Sequence, residues 1–218
     1  MKKWVCFCLL SLSILLLSAC GSRTTPNKET VPDAESPQQA SHSEAETALP
    51  ESTPEQTDDG GKVLVLYFSA TGNTKAVAEK MAELTGADIH EIIPAESYTA
   101  ADLNYNDDNC RANREMNDAS ARPAISGDGI DISGYDTVMI GYPIWWGTMP
   151  RIINTFLDTY DLSGKMVLPF CTSGSSGIFQ SVSDLRNAIP GADVRDGLRA
   201  GKNQDSEIET WLDENNIR

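Results

Sequence analysis

The chain has 218 residues and carries 32 acidic against 17 basic side chains, a formal net charge of −15. So acidic a chain lacks the basic surface that binds phosphate backbones, which excludes nucleic acid as the expected partner. Its five cysteines are too few and too scattered to predict a disulfide framework or a metal site.

The amino-terminal residues 1–19 have the features of a secretory signal. Two lysines precede a mostly apolar run from Trp4 to Ala19, which is too short to cross a membrane comfortably. The run ends in Leu17-Ser18-Ala19-Cys20, which resembles the processing box of bacterial lipoproteins. We therefore expect a lipid on Cys20 and attachment to a bacterial membrane outside the cytoplasm. A signal without lipid or a short anchor is the alternative.

Residues 20–60 are predicted to be the lipidated cysteine and a flexible tether. From Ser22 to Gly60 the segment has no aromatic residue and nine acidic against two basic side chains, among many prolines, serines and threonines. A segment of this composition cannot build an apolar core. About forty such residues reach on the order of 35 Å, enough to lift a domain off a membrane. Residues 61–218 then have the length of one domain.

The first predicted strand of this domain, Val63 to Phe68, runs into a loop rich in hydroxyl groups. The strand has no charged residue, which is typical of a strand buried on both faces of a parallel sheet. The loop offers hydroxyls, a glycine and the start of a helix, and these favour a bound phosphate. Because the loop has no lysine or arginine, a monophosphate is favoured over a triphosphate. The loop residues are Ser69, Ala70, Thr71, Gly72, Asn73 and Thr74.

Other phosphate-binding motifs do not match this loop. The glycine spacings of the Walker loop and of the dinucleotide fingerprint are both missing. A response-regulator receiver domain would have acidic residues at the end of the strand, where this chain has Tyr67-Phe68-Ser69. An ordinary strand-to-helix turn with threonine and asparagine as caps remains the alternative.

Helices and strands alternate along the rest of the domain. A helix from Gly72 to Leu84 is expected to end at Gly86, and an edge strand follows from Ala87 to Ile93. Five strands alternating with helices predict a doubly wound α/β fold, with helices on both faces of a parallel sheet. The later elements are a helix near Cys110–Asn117, a strand Tyr135–Tyr142, a helix carrying Ile152 to Leu157, a strand Met166–Cys171, a helix Ser181–Ile189, a strand Ala192–Arg195 and a helix Asp205–Asn215.

Two more unusual loops follow the third and fourth predicted strands. Adjacent tryptophans are costly to expose, so at least one should cover a flat apolar group, unless both cap the core or meet a partner. Ligands of doubly wound sheets bind beyond the carboxyl ends of the strands, so the three loops should converge. The residues are Pro143, Ile144, Trp145, Trp146 and Gly147 in the second loop, and Thr172, Ser173, Gly174 and Gly177 in the third.

Together the three loops predict a pocket for FMN. The first loop would hold the phosphate, the tryptophans would form an aromatic wall, and backbone groups of the third loop would contact the pyrimidine edge. Tyr142 and Cys171 stand near this pocket and are expected to be packing residues. No catalytic residue is assigned.

These motifs resemble the flavodoxin family over essentially all of residues 61–218. The family's phosphate loop has the pattern Ser/Thr-x-Thr-Gly-Asn-Thr, which residues 69–74 match at each position. Residues 141–147 and 169–174 resemble a bacterial subgroup, and the chain resembles the short-chain form. The resemblance implies noncovalently bound FMN, a flavodoxin-like five-stranded sheet in the order 2-1-3-4-5, and electron transfer through the flavin.

The favoured function is an electron carrier, and the alternatives are an NAD(P)H-dependent quinone or flavin reductase and a flavin-free binding module. A reductase needs a second cavity over the flavin, which nothing in Tyr98 to Ala121 clearly supplies. Expected partners are a redox protein or a membrane electron carrier, and the domain is expected to be monomeric. An acidic surface suits docking to a basic partner. Because the family is usually cytoplasmic, export puts its usual partners in doubt.

Overall fold

A computed structural model describes residues 61–201 and 203–217. The predicted signal peptide, the lipidated Cys20 and the predicted tether lie outside these residues. Among the residues that the structure describes, no helix has both the length and the apolar character needed to span a membrane. The described residues build a parallel sheet with helices packed on its two faces.

Within the described part of the domain, six strands and five helices follow the predicted alternation. The strands are β1 (Val63–Tyr67), β2 (Asp88–Glu91), β3 (Thr137–Pro143), β4 (Met166–Thr172), β5 (Asp193–Val194) and β6 (Leu198–Arg199). The helices are α1 (Asn73–Thr85), α2 (Arg111–Asn117), α3 (Arg151–Thr159), α4 (Phe179–Ala188) and α5 (Asp205–Glu214).

The main strands pair in the order β2-β1-β3-β4-β5, and all of these pairings are parallel. This result confirms the predicted fold class and sheet order. The short β6 also pairs with β4, at the carboxyl end of that strand. Because β1, β3 and β4 have neighbours on both sides and helices on both faces, nearly all of their residues are buried.

Two apolar cores lie on the two faces of the sheet. Leu66 of β1 packs into one core with Phe156 of α3, whereas Val65 packs into the other with Met81 of α1 and Trp211 of α5. Adjacent strand residues thus serve opposite cores. A one-residue slip of a strand would exchange its buried contacts, so packing fixes the register and the edge from which the loops project.

The structure shortens two of the predicted strands to about half their length. The strand predicted from Ala87 to Ile93 is paired only over β2, which has β1 as its partner and lies at the predicted edge of the sheet. The strand predicted from Ala192 to Arg195 is reduced to β5. The sequence did not predict β6, because two residues are too few to show a period.

Candidate functional site

The parallel sheet brings the three predicted loops to one edge. β3 lies between β1 and β4, and the register pairs Tyr67 with Gly141 and Pro143 with Thr172. The three strands therefore end side by side. A hydrogen bond of 2.9 Å from the Ile144 N–H to the Thr172 carbonyl joins the second loop to the third.

The first loop ends in a helix start that has no side-chain cap. Gly72 is the N-cap residue of α1, and its φ of +83° is a left-handed conformation that favours glycine. Its N–H donates to Ser69 Oγ at 3.1 Å, and Asn73 Nδ2 donates to Thr71 Oγ1 at 3.1 Å. The alternative prediction, an ordinary strand-to-helix turn with threonine and asparagine as caps, is therefore wrong. The first turn of α1 keeps its amide dipoles for an anion.

A buried hydroxyl pair ties the first loop to the third. Thr74 Oγ1 and Thr172 Oγ1 lie 2.8 Å apart, and both side chains are almost fully buried. Each hydroxyl satisfies the other, which is how buried polar groups avoid a desolvation penalty. The pair fixes the start of α1 against the end of β4.

The second loop contains a tight two-residue turn. Trp145 and Thr148 exchange backbone hydrogen bonds of 2.9 and 3.0 Å across it. Both central residues have positive φ, 48° at Trp146 and 82° at Gly147, as a type I′ turn requires. Thr148 Oγ1 donates to Asp184 Oδ2 of α4 at 2.5 Å. The turn is thus anchored to the body of the domain.

The two adjacent tryptophans have different environments. Trp145 packs edge-on against Phe68 at 5.7 Å and against Tyr98 at 5.2 Å between ring centroids. Trp146 is 48% exposed and has Tyr105 as its aromatic neighbour, 6.2 Å away. Trp145 therefore belongs to the wall of the core, while Trp146 is the residue with a free ring surface.

A cavity of about 100 Å³ lies between the first two loops and the segment that precedes α2. The predicted residues Thr71, Pro143, Trp145 and Trp146 contribute to its wall. The sequence did not predict that residues 103–112 contribute to the cavity wall, although Tyr105 stands out as an aromatic residue in a polar stretch. The lining consists of Ala70, Thr71, Leu103, Tyr105, Ala112, Pro143, Trp145 and Trp146.

The other predicted site residues are not part of the wall of this cavity. In the third loop, Ser173 is half-buried, and Gly174 to Gly177 are exposed. Arg199 of β6 donates from Nη2 to the Ser173 and Gly174 carbonyls, both at 3.1 Å. Arg199 was not predicted, because a contact between residues so far apart leaves no local signal. The predicted residues outside the lining are Ser69, Gly72, Asn73, Thr74, Ile144, Gly147, Thr172, Ser173, Gly174 and Gly177.

A polar cluster supports the aromatic wall from behind. Tyr98 donates from its hydroxyl to Glu115 Oε2 at 2.5 Å, and Arg111 Nε donates to Glu115 Oε1 at 2.6 Å. The Arg111 guanidinium lies 4.0 Å from the centre of the Tyr98 ring. Burial, and then the hydrogen bond to Glu115, raise the pKa of Tyr98 above its ordinary value. Tyr98 therefore stays protonated and holds Trp145 in place.

Tyr142 and Cys171 are packing residues, as the sequence predicts. Both side chains are fully buried, and Tyr142 lies 3.2 Å from Ser181 Oγ through its hydroxyl. Burial raises the pKa of Tyr142, and it raises the pKa of the Cys171 thiol to about 12. Both groups are protonated and neutral at physiological pH.

A larger cavity of about 480 Å³ lies at the opposite edge of the sheet. Lys62 and Asp88 line it and form a salt bridge of 2.9 Å. The amino ends of the strands meet there, and the three unusual loops are at the other edge. Since ligands of such sheets bind beyond the carboxyl ends, size does not make this cavity the functional site.

Comparison with known proteins adds independent information about this edge. Residues 62–215 match the sequence profile of the flavodoxin family. A candidate flavoprotein from Bacteroides eggerthii is 45% identical, with a TM-score of 0.67, over 72% of this chain and 99% of that one. A candidate flavoprotein from Bacteroides uniformis is 43% identical, with a TM-score of 0.68, over 71% of this chain and 99% of that one. A flavoprotein from Lactobacillus acidophilus has been crystallised in complex with FMN. It is 31% identical, with a TM-score of 0.57, over 69% of this chain and 98% of that one.

Proposed function

This chain belongs to the flavodoxin family, and from that premise we propose that it binds FMN noncovalently and works as an electron carrier. The observation that carries the proposal is the uncapped start of α1 beside an aromatic cavity. One relative has been crystallised with FMN. The site is therefore assigned to the carboxyl edge of β1, β3 and β4.

The first loop is the proposed phosphate site. The residues present fit a monophosphate, because they offer neutral donors and an uncapped helix start. Thr71 and Asn73 already hydrogen-bond each other, so their side chains are held in place at the helix start. A Cβ added at Gly72 would meet no atom within 4 Å, so the loop backbone there is open to a ligand.

The second and third loops are the proposed ring site. Trp146 offers a ring face for contact with the flavin, and Trp145 closes the cavity on its inner side. The Trp146–Gly147 peptide is the proposed hydrogen-bond partner of the flavin N5. Backbone groups of residues 172–177 would meet the pyrimidine edge.

Bound FMN supplies one- and two-electron chemistry, and the protein sets its affinity and potential. The excess of acidic residues disfavours further negative charge on the flavin, which lowers its potential. The aromatic wall acts in the same direction, because it keeps water from the ring. Tyr142 and Cys171, being neutral and buried, take no part in proton transfer.

We favour the carrier over a reductase because the chain carries 32 acidic against 17 basic side chains, and such a surface suits electrostatic docking to a basic redox partner. An acidic carrier would exchange electrons with a basic redox protein or a membrane carrier.

The proposed location is the outer face of a bacterial membrane, through a lipid on Cys20. The motif before Cys20 supports this proposal, and the acidic segment up to residue 60 would act as the tether. Replacing the cysteine (Cys20→Ser) should abolish the incorporation of an alkyne-labelled fatty acid into the chain, because the thiol that would carry the lipid is gone. Labelling of that variant at the wild-type level would contradict lipid anchoring.

Anaerobic titration of the full-length chain, purified in detergent and loaded with FMN, tests the electron-carrier proposal. Stepwise addition of dithionite should produce a long-lived one-electron-reduced flavin, seen as a long-wavelength absorption band. Neither NADH nor NADPH should bleach the flavin quickly. Bleaching in one two-electron step together with fast NAD(P)H oxidation would identify a reductase. Failure to bind FMN would leave only the fold.

A further inference from the structure

Arg199 lies beside the third loop at the outer side of β4. The register of β6 pairs it with Cys171, and the Ala200 N–H donates to the Cys171 carbonyl at 2.9 Å. This pairing places the arginine next to the last residues of β4. Its Nη2 group reaches forward to the Ser173 and Gly174 carbonyls, at 3.1 Å each.

These two hydrogen bonds are what orders the start of the loop. Among the described residues, Arg199 is the only hydrogen-bond partner of residues 173–177. Residues 174–177 are exposed and gain no support from burial. An exposed glycine-serine loop without other contacts depends on such anchors for a defined conformation.

The anchor also sets the direction in which the loop amides point. A trans peptide holds its C=O and N–H in opposite directions. With the Ser173 and Gly174 carbonyls turned toward Arg199, the N–H groups of Gly174 and Ser175 point away from it. Because β4 has β6 on one side and β3 on the other, away from Arg199 means toward the side of the second loop.

Arg199 also brings a positive charge to the back of the third loop. In the described part of the chain, no acidic side chain forms an ion pair with Arg199, whereas Arg111, behind the aromatic wall, is paired with Glu115. Arginine stays charged at any pH that the protein would meet. The third loop therefore has a fixed cation at its back.

We propose that Arg199 is a positioning residue that aims the Gly174 and Ser175 amides at the pyrimidine edge of the flavin and raises the flavin's midpoint potential. The proposal rests on the proposed binding of FMN. Two-electron reduction adds two electrons and one proton, on N5, and leaves one negative charge around N1 and the C2 carbonyl. Two aimed amides and a nearby guanidinium stabilise that charge.

Three variants of the full-length chain separate the charge from the hydrogen bonds. Arg199→Met removes both, and Arg199→Lys keeps the charge without the two-carbonyl geometry. Arg195→Met is the matched control, because Arg195 pairs with Asp193 at 2.8 Å and, among the described residues, forms no hydrogen bond to the third loop. Arg199→Met and Arg195→Met each lose one positive charge, whereas Arg199→Lys keeps it.

In Arg199→Met, the two-electron midpoint potential should fall by about 30 mV, which corresponds to a tenfold loss of preference for reduced over oxidised FMN. Arg199→Lys should keep most of the potential, and both Arg199 variants should bind oxidised FMN more weakly. The backbone ¹⁵N order parameters of Gly174 and Ser175, measured by NMR, should be lower in FMN-free Arg199→Met than in the wild type, because the loop loses its anchor. The last readout needs no flavin.

The outcomes distinguish this proposal from the one on which it rests. If the wild type binds FMN and Arg199→Met changes the potential no more than Arg195→Met does, the role of Arg199 is refuted while FMN binding stands. Unchanged order parameters at Gly174 and Ser175 in Arg199→Met also refute it. If the wild type binds no FMN, both proposals fail. Should Arg199→Met not fold, the order parameters of Arg199→Lys against Arg195→Met decide: wild-type values at Gly174 and Ser175 in Arg199→Lys refute the anchor.

Discussion

Single hydroxyl groups hold the site together at the residue scale. Removing one hydroxyl of the Thr74–Thr172 pair leaves the other buried without a partner. We expect Thr74→Val and Thr172→Val each to lower the free energy of unfolding by about 1–3 kcal/mol. The double variant should cost clearly less than the sum, because no unsatisfied hydroxyl remains.

Urea unfolding of the FMN-free protein measures this coupling in a double-mutant cycle. Thr210→Val is the control, because the Thr210 hydroxyl is on the exposed side of α5, where its bond to the Ser206 carbonyl is open to water. That variant should stay within about 0.5 kcal/mol of the wild type. Strictly additive costs for the threonine pair would show that the two hydroxyls do not depend on each other.

Gly141 is required for space rather than for backbone conformation. A Cβ at this position of β3 would lie 2.1 Å from Cζ of the buried Phe170 ring. We expect Gly141→Ala to destabilise the domain by about 1–3 kcal/mol through overpacking, as measured by urea unfolding. In Gly134→Ala the new Cβ meets nothing within 4 Å, so stability should change little. Equal stability of the two variants would contradict this account.

At the scale of elements, the backbone conformation of Trp146 lowers the stability of its turn and presents the tryptophan ring to the proposed flavin site. A tryptophan with a φ of 48° is strained, and asparagine tolerates such a turn position much better. Trp146→Asn should raise the stability of the FMN-free protein by about 0.5–1 kcal/mol and weaken FMN binding about tenfold, because the flavin loses its aromatic neighbour.

Thermal unfolding and FMN titration of the same Trp146→Asn preparation check the two effects together. Trp145→Phe is a useful comparison, because Trp145 packs into the wall with Phe68 and Tyr98 and should lose stability. A Trp146→Asn protein that binds FMN as tightly as the wild type would show that the exposed ring takes no part in the site.

The sequence predicts elements well where a pattern is long and badly where a contact is distant. Buried apolar runs identified β1, β3 and β4, and their loops followed from them. β6 has two residues and hence no period, so neither it nor the contact of Arg199 with the third loop was predicted. The contribution of Tyr105 to the cavity was missed because it depends on how residues 93–110 fold back over the sheet edge.

The stability of the whole molecule should fall in alkaline solution. Burial raises the pKa of the Cys171 thiol from 9.0 to about 12, so the folded state keeps a proton that the unfolded state loses. The contribution is complete below pH 9 and is lost as the pH rises toward 12. Tyr142, whose pKa is also raised by burial, acts in the same direction at higher pH.

Urea unfolding of the wild type and Cys171→Ala at pH 8.5 and pH 10.5 tests this prediction. Between the two pH values, the wild type should lose about 2 kcal/mol more than Cys171→Ala does, because one pKa unit corresponds to about 1.4 kcal/mol. The comparison between two pH values removes the constant cost of the cavity that alanine leaves. An equal loss in both proteins would show that the thiol is not held protonated by the fold.

Two cavities lie at opposite edges of the same sheet, so the position of FMN can be tested on the whole molecule. The carboxyl edge has the three loops, the uncapped helix and the aromatic wall, whereas the amino edge has the larger cavity beside Lys62 and Asp88. We assign FMN to the carboxyl edge because the residues there suit a phosphate and an aromatic ring, although the cavity at this edge is the smaller one.

Hydrogen–deuterium exchange of the full-length chain with and without FMN tests that assignment most directly. We expect slower exchange in residues 69–74, 143–147 and 172–177 on addition of FMN, and no change around Lys62 and Asp88. Protection confined to the amino edge, or no protection in any of the three loops, would contradict it.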